Sequence, residues 1–129
     1  MGSPLTVLLV EDDNALREIV ETKLRAQGFE VRTACGGIHG YSSYLQQPTE
    51  LVVTDIQMPE LDGFQMMRCI RRINPSVKTI YVTGALERFR MQLGVEKEGF
   101  GAIIIAKPCS SEELLRAINS GAGERARWE

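Results

Sequence analysis

Acidic, hydroxyl and basic residues follow directly on four apolar runs of this 129-residue sequence: Glu11 and Asp12, Asp55, Thr83, and Lys107. Three carboxylates brought together repel one another unless a cation lies between them, and oxygen ligands without a neighbouring His or Cys favour Mg²⁺. A hydroxyl and an ammonium beside Asp55 would suit a phosphoryl group carried by that carboxylate. These residues therefore predict phosphoryl transfer to an aspartate, a reaction that depends mainly on positioning and charge stabilisation.

Asp55 lies in the stretch 51–63, LVVTDIQMPELDG, which carries the strongest of these signals. An apolar run ends at the acid, and Met58-Pro59 and Asp62-Gly63 supply turn residues before a helical pattern begins. Ligands of open α/β sheets lie at the carboxyl ends of the strands, which makes Asp55 a candidate reactive group. On this stretch alone, an aspartate that merely ends a strand or caps a turn is the alternative interpretation.

The elements that would position these side chains alternate along the chain. Strands are predicted at 5–10, 29–34, 51–53, 77–82 and 102–106, and the first, third and fifth of these are apolar runs. Helical spacing of apolar residues predicts helices at 14–27, 38–47, 64–73, 86–97 and from 110 to about 119. This alternation predicts an α/β fold in which a five-stranded parallel sheet is covered by helices on both faces. The carboxyl ends of all the strands would then share one edge.

Length and composition predict a single domain over residues 1–129, with a core at about 5–119 and a tail or linker at 120–129. The net charge of −2 and the pI near 5.5 argue against nucleic-acid binding, and the apolar runs are too short to span a membrane. The cysteines lack metal-ligand spacing and are odd in number, and no signal peptide is visible. A cytoplasmic location is therefore expected.

Four motifs at the predicted strand ends resemble those of one known family: LLVEDD at 8–13, TDIQMPELDG at 54–63, VTG at 82–84 and AKP at 106–108. The family is the receiver domains of bacterial two-component response regulators, of the chemotaxis-regulator type. The resemblance runs from Leu5 to about Asn119, and it is specific because the motifs occur together. It implies a flavodoxin-like, doubly wound (βα)5 fold. It also implies that the domain is a signalling switch and not an enzyme, since it would catalyse only its own phosphorylation and dephosphorylation.

The resemblance further implies a role for each matched residue. Asp55 would be the phosphoacceptor, Thr83 would bind and report the phosphoryl group, and Lys107 would pair with it. The Mg²⁺ ligands would be Asp12, Asp55, the backbone carbonyl of Gln57 and, through water, Glu11.

Partners follow from the same resemblance. A sensor histidine kinase or phosphotransfer protein would supply the phosphoryl group, and a downstream protein or a covalently linked output domain would read it. Neither direct nucleic-acid binding nor a membrane is expected for this domain, and a homodimer would use the 84–118 face. The Lys107–Pro108 bond would be cis, as in many members of the family.

Two departures from the family pattern affect the switch. Three residues before Lys107, where the family usually carries a Tyr or Phe that rotates on phosphorylation, this chain has Ile104. A β-branched side chain cannot swing in the same way, so we expect backbone motion at 84–101 to carry the signal. The stretch 83–107 is also about two residues longer than is typical of the family.

Three other functions compete with this one. An aspartate-nucleophile phosphatase of the haloacid dehalogenase type would need a second acid two residues after Asp55, where Gln57 stands. A flavodoxin-like cofactor binder would need a phosphate loop after the first strand, where Glu11-Asp12-Asp13 would repel a phosphate. A degenerate receiver that serves only as an interaction module fits Ile104, but the complete set of site residues argues against it.

Several residues outside this set are expected to have structural roles. Asp13 should compensate the dipole of the first helix, and Ile19 should face the core with the other apolar residues of that helix. The basic patch of Arg68, Arg71 and Arg72 should be a solvated helix face.

Overall fold

Five parallel strands form one sheet in the computed structural model of the chain, which describes the backbone of residues 4–128 and the side chains of residues 4–120. The strands are β1 (Thr6–Val10), β2 (Glu30–Ala34), β3 (Leu51–Thr54), β4 (Lys78–Thr83) and β5 (Ile103–Ala106). The helices are α1 (Asn14–Ala26), α2 (Gly37–Gln46), α3 (Gly63–Ile73), α4 (Arg90–Phe100) and α5 (Ser111–Trp128). Residues 1–3 and 129 of the predicted domain lie outside the described residues.

The strand order is β2-β1-β3-β4-β5, the flavodoxin-like doubly wound arrangement, so the predicted fold class is confirmed. The direction of winding reverses at β1, and sheets of this type bind ligands at the carboxyl ends of the strands beside that point. Val10 pairs with Thr54, and Thr83 pairs with Ala106. The strand ends that precede or carry the predicted site residues are therefore level with one another.

Both faces of the sheet are covered by helices. Leu8 and Val10 of β1 join a hydrophobic cluster with residues of α2, α3 and α4, whereas Val7 and Leu9 join a second cluster with residues of α1 and α5. Alternate residues of a strand point to opposite faces. Burial of both faces explains why the central strands β1 and β3 appear in the sequence as nearly unbroken apolar runs, whereas the edge strand β2 includes Glu30 and Arg32.

Helix caps fix two of the loops that follow the strands. The Asp62 carboxylate accepts a hydrogen bond from the Gln65 N–H at 2.8 Å, and the Gln65 amide oxygen accepts one from the Asp62 N–H at 3.0 Å. Asp13 caps α1 by accepting from the Leu16 N–H at 3.1 Å. Asp13 therefore does more than the predicted dipole compensation, because it also satisfies an N–H of the first turn.

Helix α4 differs from its prediction, since it runs from Arg90 to Phe100 instead of from 86 to 97. The residues just before it form turns, and Phe89 packs against the core at the start of the helix. Gly101 ends the helix with a φ of 69°, in the left-handed region that favours glycine. Gly94 interrupts the apolar spacing within α4, which hid the true ends of the helix in the sequence.

Two side chains lie elsewhere than predicted. Ile19 is 55% exposed because α1 and α5 do not close over the sheet beside it. The side chain of Arg71 is only 10% exposed because it is paired with Glu96 of α4. The prediction of a fully solvated basic patch is therefore wrong for Arg71.

Helix α5 is longer than its predicted extent, since the backbone stays helical to Trp128 whereas the sequence indicated a tail or linker from residue 120. A glycine inside a helix costs only about 1 kcal/mol, and the Ala, Glu and Arg residues of this segment favour a helix. Among the described residues, no helix combines the length and the apolar composition needed to cross a bilayer.

Candidate functional site

Lys107 joins the ends of three strands at the carboxyl edge of the sheet. Its ammonium donates hydrogen bonds to Glu11 Oε1 at 3.0 Å and to Asp55 Oδ2 at 3.1 Å. Glu11 follows β1, Asp55 follows β3 and Lys107 follows β5. The sheet thus brings together three predicted site residues that are far apart in the sequence.

Asp12 completes an acidic cluster with Glu11 and Asp55. Carboxylate oxygens from the three residues lie within 4.8 Å of one another. Lys107 pairs with two of these carboxylates, so one positive charge faces three negative charges. An all-oxygen donor set with excess negative charge fits a hard divalent cation such as Mg²⁺. Asp12 is exposed, which leaves solvent access for such a cation with its water ligands.

Glu11 is buried, and its surroundings hold it in place. Its Oε2 accepts from the Asp13 N–H at 3.1 Å, and its backbone carbonyl accepts from Arg17 at 2.7 Å. Burial raises the pKa of Glu11, and the hydrogen bonds from Asp13 and Lys107 only partly offset this effect. Burial lowers the pKa of Lys107, but its bonds to Glu11 and Asp55 outweigh burial and leave that pKa raised.

The loop after β3 fixes the Asp55 carboxylate. Asp55 Oδ1 accepts from the Ile56 N–H at 2.7 Å, and the Gly63 N–H donates to the Ile56 carbonyl at 2.8 Å. A Cβ at position 63 would lie 2.3 Å from the Asp55 carbonyl oxygen. Only glycine lets the start of α3 approach so closely, which gives the Asp62-Gly63 turn of the sequence a specific role at the site.

Thr83 lies at the end of β4, and only 1% of it is exposed. Its hydroxyl oxygen accepts from the Ala85 N–H at 3.0 Å, and its carbonyl accepts from the Lys107 N–H at 2.8 Å. The Thr83 hydroxyl is thus bonded to its own loop rather than to Asp55 or to the Lys107 ammonium. The Lys107–Pro108 bond is cis, as the family resemblance implied. Gln57 is exposed in the loop after Asp55, and the role of its carbonyl stays a prediction.

A cleft of about 700 Å³ opens beside the acidic cluster, between α1, α5 and the sheet. Glu11, Asp55 and Lys107 are among the residues that line it, together with apolar residues such as Ile19 and Leu115. Sequence reasoning missed this cleft. The helical spacing of Ile19 is the same for a side chain that packs in the core and for one that lines an open cleft.

Residues 7–119 match the family model of the response regulator receiver domain. The chain belongs to this family. The match begins in β1 and extends into α5, so it includes every strand of the sheet and all the residues of the acidic cluster. The resemblance found in the sequence covers nearly the same residues, from Leu5 to about Asn119.

Solved structures support the receiver fold. The CheY-like response regulator receiver domain protein of Methanospirillum hungatei JF-1 has a TM-score of 0.85 and 27% identity, over 98% of this chain and 100% of that chain. The receiver domain of the sensor histidine kinase PA1611 of Pseudomonas aeruginosa PAO1 has a TM-score of 0.79 and 27% identity, over 91% of this chain and 96% of that chain. The latter structure has a magnesium ion coordinated in its active site cleft.

Among curated proteins, the sensor kinase CckA of Brucella abortus (strain 2308) is 34% identical over 122 residues. The alignment covers 92% of this receiver and 12% of that kinase. The chain spans 50% of the length of two transcriptional regulators that it also matches. Receivers similar to this one therefore occur as parts of longer proteins of different kinds.

Proposed function

We propose that this receiver domain accepts a phosphoryl group on Asp55, in a reaction that depends on Mg²⁺, from a histidine kinase or a phosphotransfer protein. The observation that carries the proposal is the position of the Lys107 ammonium, which is 3.1 Å from Asp55 Oδ2 and 3.0 Å from Glu11 Oε1. A cation held there by two carboxylates can pair with phosphoryl oxygens as they arrive. The magnesium ion in the PA1611 receiver supports the metal dependence.

Phosphorylation would join an Asp55 carboxylate oxygen to phosphorus while the bond from phosphorus to the donor's imidazole nitrogen breaks and the imidazole leaves. In hydrolysis, water would attack the phosphorus, Asp55 would regain its carboxylate and inorganic phosphate would leave. Asp55, Asp12 and the Gln57 carbonyl, with Glu11 through water, would hold Mg²⁺, which would supply positive charge to the phosphoryl oxygens. The domain would thus catalyse only its own phosphorylation and dephosphorylation.

Thr83 is the proposed reporter of the phosphoryl group. Its hydroxyl would leave the Ala85 N–H and donate to a phosphoryl oxygen instead. Such a charge-assisted hydrogen bond is worth about 1.5–3 kcal/mol, which is enough to bias the conformation of a loop. The β4–α4 segment, residues 84–101, would then be the first part of the chain to change.

The partners proposed for the receiver are a sensor histidine kinase or phosphotransfer protein upstream, and a downstream protein or linked output domain. The similarity to a sensor kinase and to transcriptional regulators supports both arrangements. The 84–118 face is the proposed surface for a homodimer. The cytoplasm is the proposed location, since Cys35, Cys69 and Cys109 are all free thiols.

Phosphorylation by a small donor tests the proposal. Acetyl phosphate with Mg²⁺ should add the mass of one phosphoryl group, and Asp55→Asn should remain unlabelled in intact-mass analysis. Asp62→Asn is the matched control, because Asp62 lies in the same loop and Asn also caps helices well. Labelling of Asp55→Asn at the level of the control would overturn the assignment. If no donor phosphorylates the wild-type chain, the alternative is favoured, in which the domain is a degenerate receiver that serves only as an interaction module.

A further inference from the structure

A buried ion pair ties α4 to α3 away from the acidic cluster. The Arg71 guanidinium donates to both carboxylate oxygens of Glu96, with an Nη1–Oε2 distance of 3.2 Å. The two side chains are only 10% and 12% exposed. The Phe100 ring lies 3.8 Å from the guanidinium carbon and shields it further. A bidentate pair shielded in this way fixes the direction of both side chains.

Tyr81 connects this ion pair to the sheet. Its side chain is fully buried, and its hydroxyl donates to Glu96 Oε1. Burial, together with the Glu96 carboxylate, raises the pKa of Tyr81 far above the ordinary tyrosine range, so the hydroxyl keeps its proton and donates. Arg71 of α3, Tyr81 of β4 and Glu96 of α4 therefore form one hydrogen-bonded group, which we call the triad.

Tyr81 of the triad lies two residues before Thr83, the proposed reporter, on the same strand. Residues two apart on a strand project to the same face. Tyr81 is also paired in register with Ile104 of β5, and both belong to the same core cluster. An aromatic side chain thus lies one strand away from the position where the family usually carries its rotating aromatic ring.

Helix α4 has little other anchorage. Among its apolar side chains, Leu93 is buried, whereas Met91 and Val95 are 87% and 64% exposed. No side chain caps its first turn. The helix also contains Gly94 and Gly99, and each glycine lowers the stability of a helix. The position of α4 therefore depends strongly on what Glu96 contacts.

We propose that the triad is the relay by which phosphorylation at Asp55 repositions α4 in this receiver. Release of the Ala85 N–H by Thr83 shifts the loop that leads into α4, and the bond from Tyr81 to Glu96 breaks. The ion pair between Arg71 and Glu96 persists, since separating two buried charges is far more costly than losing one hydroxyl partner. The inference rests on the proposed function, because it needs a phosphoryl group on Asp55.

Tyr81→Phe tests the relay because it removes the hydroxyl and keeps the packed ring. Without any phosphoryl analogue, amide hydrogen exchange across 90–100 should be about tenfold faster than in the wild type. Beryllofluoride, which mimics a phosphoryl group, should with Mg²⁺ speed amide hydrogen exchange across 90–100 in the wild type. In Tyr81→Phe, where exchange is already fast, it should cause little further increase. Arg71→Lys keeps the charge but loses the bidentate contact, and it should speed exchange in α4 as well.

Tyr44→Phe is the matched control. Tyr44 is also fully buried, and its hydroxyl accepts from Asn74 Nδ2 at 3.0 Å, outside the triad. This variant should keep wild-type exchange in α4 and the wild-type response to beryllofluoride. Tyr81→Phe that behaves like Tyr44→Phe would overturn the relay.

Labelling with acetyl phosphate separates failure of the relay from failure of the proposed function. If Tyr81→Phe is labelled on Asp55 but exchanges like the wild type, the phosphoacceptor stands and the relay is wrong. If the wild type is not labelled, the proposed function is wrong and the relay falls with it.

Discussion

Lys107 is one cation shared between two carboxylates, Glu11 and Asp55, with a third carboxylate, Asp12, close by. The raised pKa of Lys107 keeps its ammonium charged throughout the physiological range. The remaining negative charge is not neutralised within the cluster. A cation that binds to the cluster, or a substitution that removes one of its acids, should therefore stabilise the site.

Magnesium should therefore stabilise the folded chain. By mass action, Mg²⁺ at 100 times its dissociation constant should raise the free energy of unfolding by about 2.7 kcal/mol. Asp12→Ala should unfold at a higher temperature than the wild type without Mg²⁺, because repulsion is relieved, and should not respond to the metal. Thermal unfolding with and without Mg²⁺ measures both effects. Glu18→Ala, which removes an exposed acid of α1, should respond to Mg²⁺ as the wild type does.

Gly63→Ala should damage the site without touching a charged group. The added Cβ would lie 2.3 Å from the Asp55 carbonyl oxygen, so the loop must move. We expect a loss of about 1–3 kcal/mol in the free energy of unfolding and slower phosphorylation by acetyl phosphate. Chemical denaturation and intact-mass time courses measure the two effects. Wild-type values for both would show that the close approach of α3 to Asp55 is not needed.

The sequence predicts that Glu11, Asp12, Asp55 and Lys107 lie close together, because each comes just after a predicted strand and parallel strands share one carboxyl edge. It does not predict partners that depend on tertiary packing. Arg71 has the same exposed-helix signature as Arg68, and only the arrival of Glu96 from α4 distinguishes them. The hydrogen bond from the Asp13 N–H to Glu11 is likewise a property of the folded loop.

Helix α4 is weakly anchored to the rest of the molecule. Its first turn is uncapped, its outer face exposes Met91 and Val95, and its helical spacing is interrupted by Gly94. The strands, in contrast, agree with the sequence to within one residue. The agreement has its clearest cause in β1 and β3, where burial on both faces leaves a nearly unbroken apolar run. The same weak amphipathicity that obscured the ends of α4 in the sequence makes the helix easy to reposition.

Gly94→Ala should stabilise α4. A Cβ at position 94 would meet nothing within 4 Å, and alanine favours a helix interior by about 0.5–1 kcal/mol over glycine. We expect slower amide hydrogen exchange across 90–100 and a smaller response to beryllofluoride, with phosphorylation of Asp55 unchanged. Exchange that is equal to or faster than that of the wild type would show that α4 is limited by its contacts and not by its own helical stability.

The two faces of the sheet are packed differently in the molecule as a whole. The face covered by α2, α3 and α4 holds the contacting rings of Phe64, Tyr81 and Phe89. The face covered by α1 and α5 carries the cleft of about 700 Å³. No local sequence pattern records this difference, because it depends on how closely α1 and α5 approach each other above the sheet.

Alkylation of the cysteines should report this packing. Cys35 is exposed, whereas Cys109 lines the cleft and has a pKa raised by burial and by the Glu113 carboxylate. Cys109 should therefore react with iodoacetamide more slowly than Cys35 at neutral pH. Its alkylation rate should also level off at a higher pH than the rate of an ordinary thiol. Peptide mass spectrometry across pH 7 to 10 measures both rates.

Glu113→Gln provides the control for Cys109. It removes the carboxylate charge while keeping a side chain that can accept from Ser110, so the start of α5 is preserved. Its Cys109 should react faster at neutral pH than in the wild type. If Cys109 reacts as fast as Cys35 in the wild type, burial and the Glu113 carboxylate do not slow the reaction of its thiol.

The hydrogen bond between Lys107 and Glu11 joins residues that are 96 positions apart in the sequence. A ribosome that adds 5–20 residues per second takes roughly 5–20 s to pass from one to the other. Throughout that interval the nascent chain holds its acids without the ammonium they share. The cluster is therefore complete only after β5 has been synthesised and has joined the sheet, so an unfinished chain has three carboxylates at this edge and no Lys107 to pair with them.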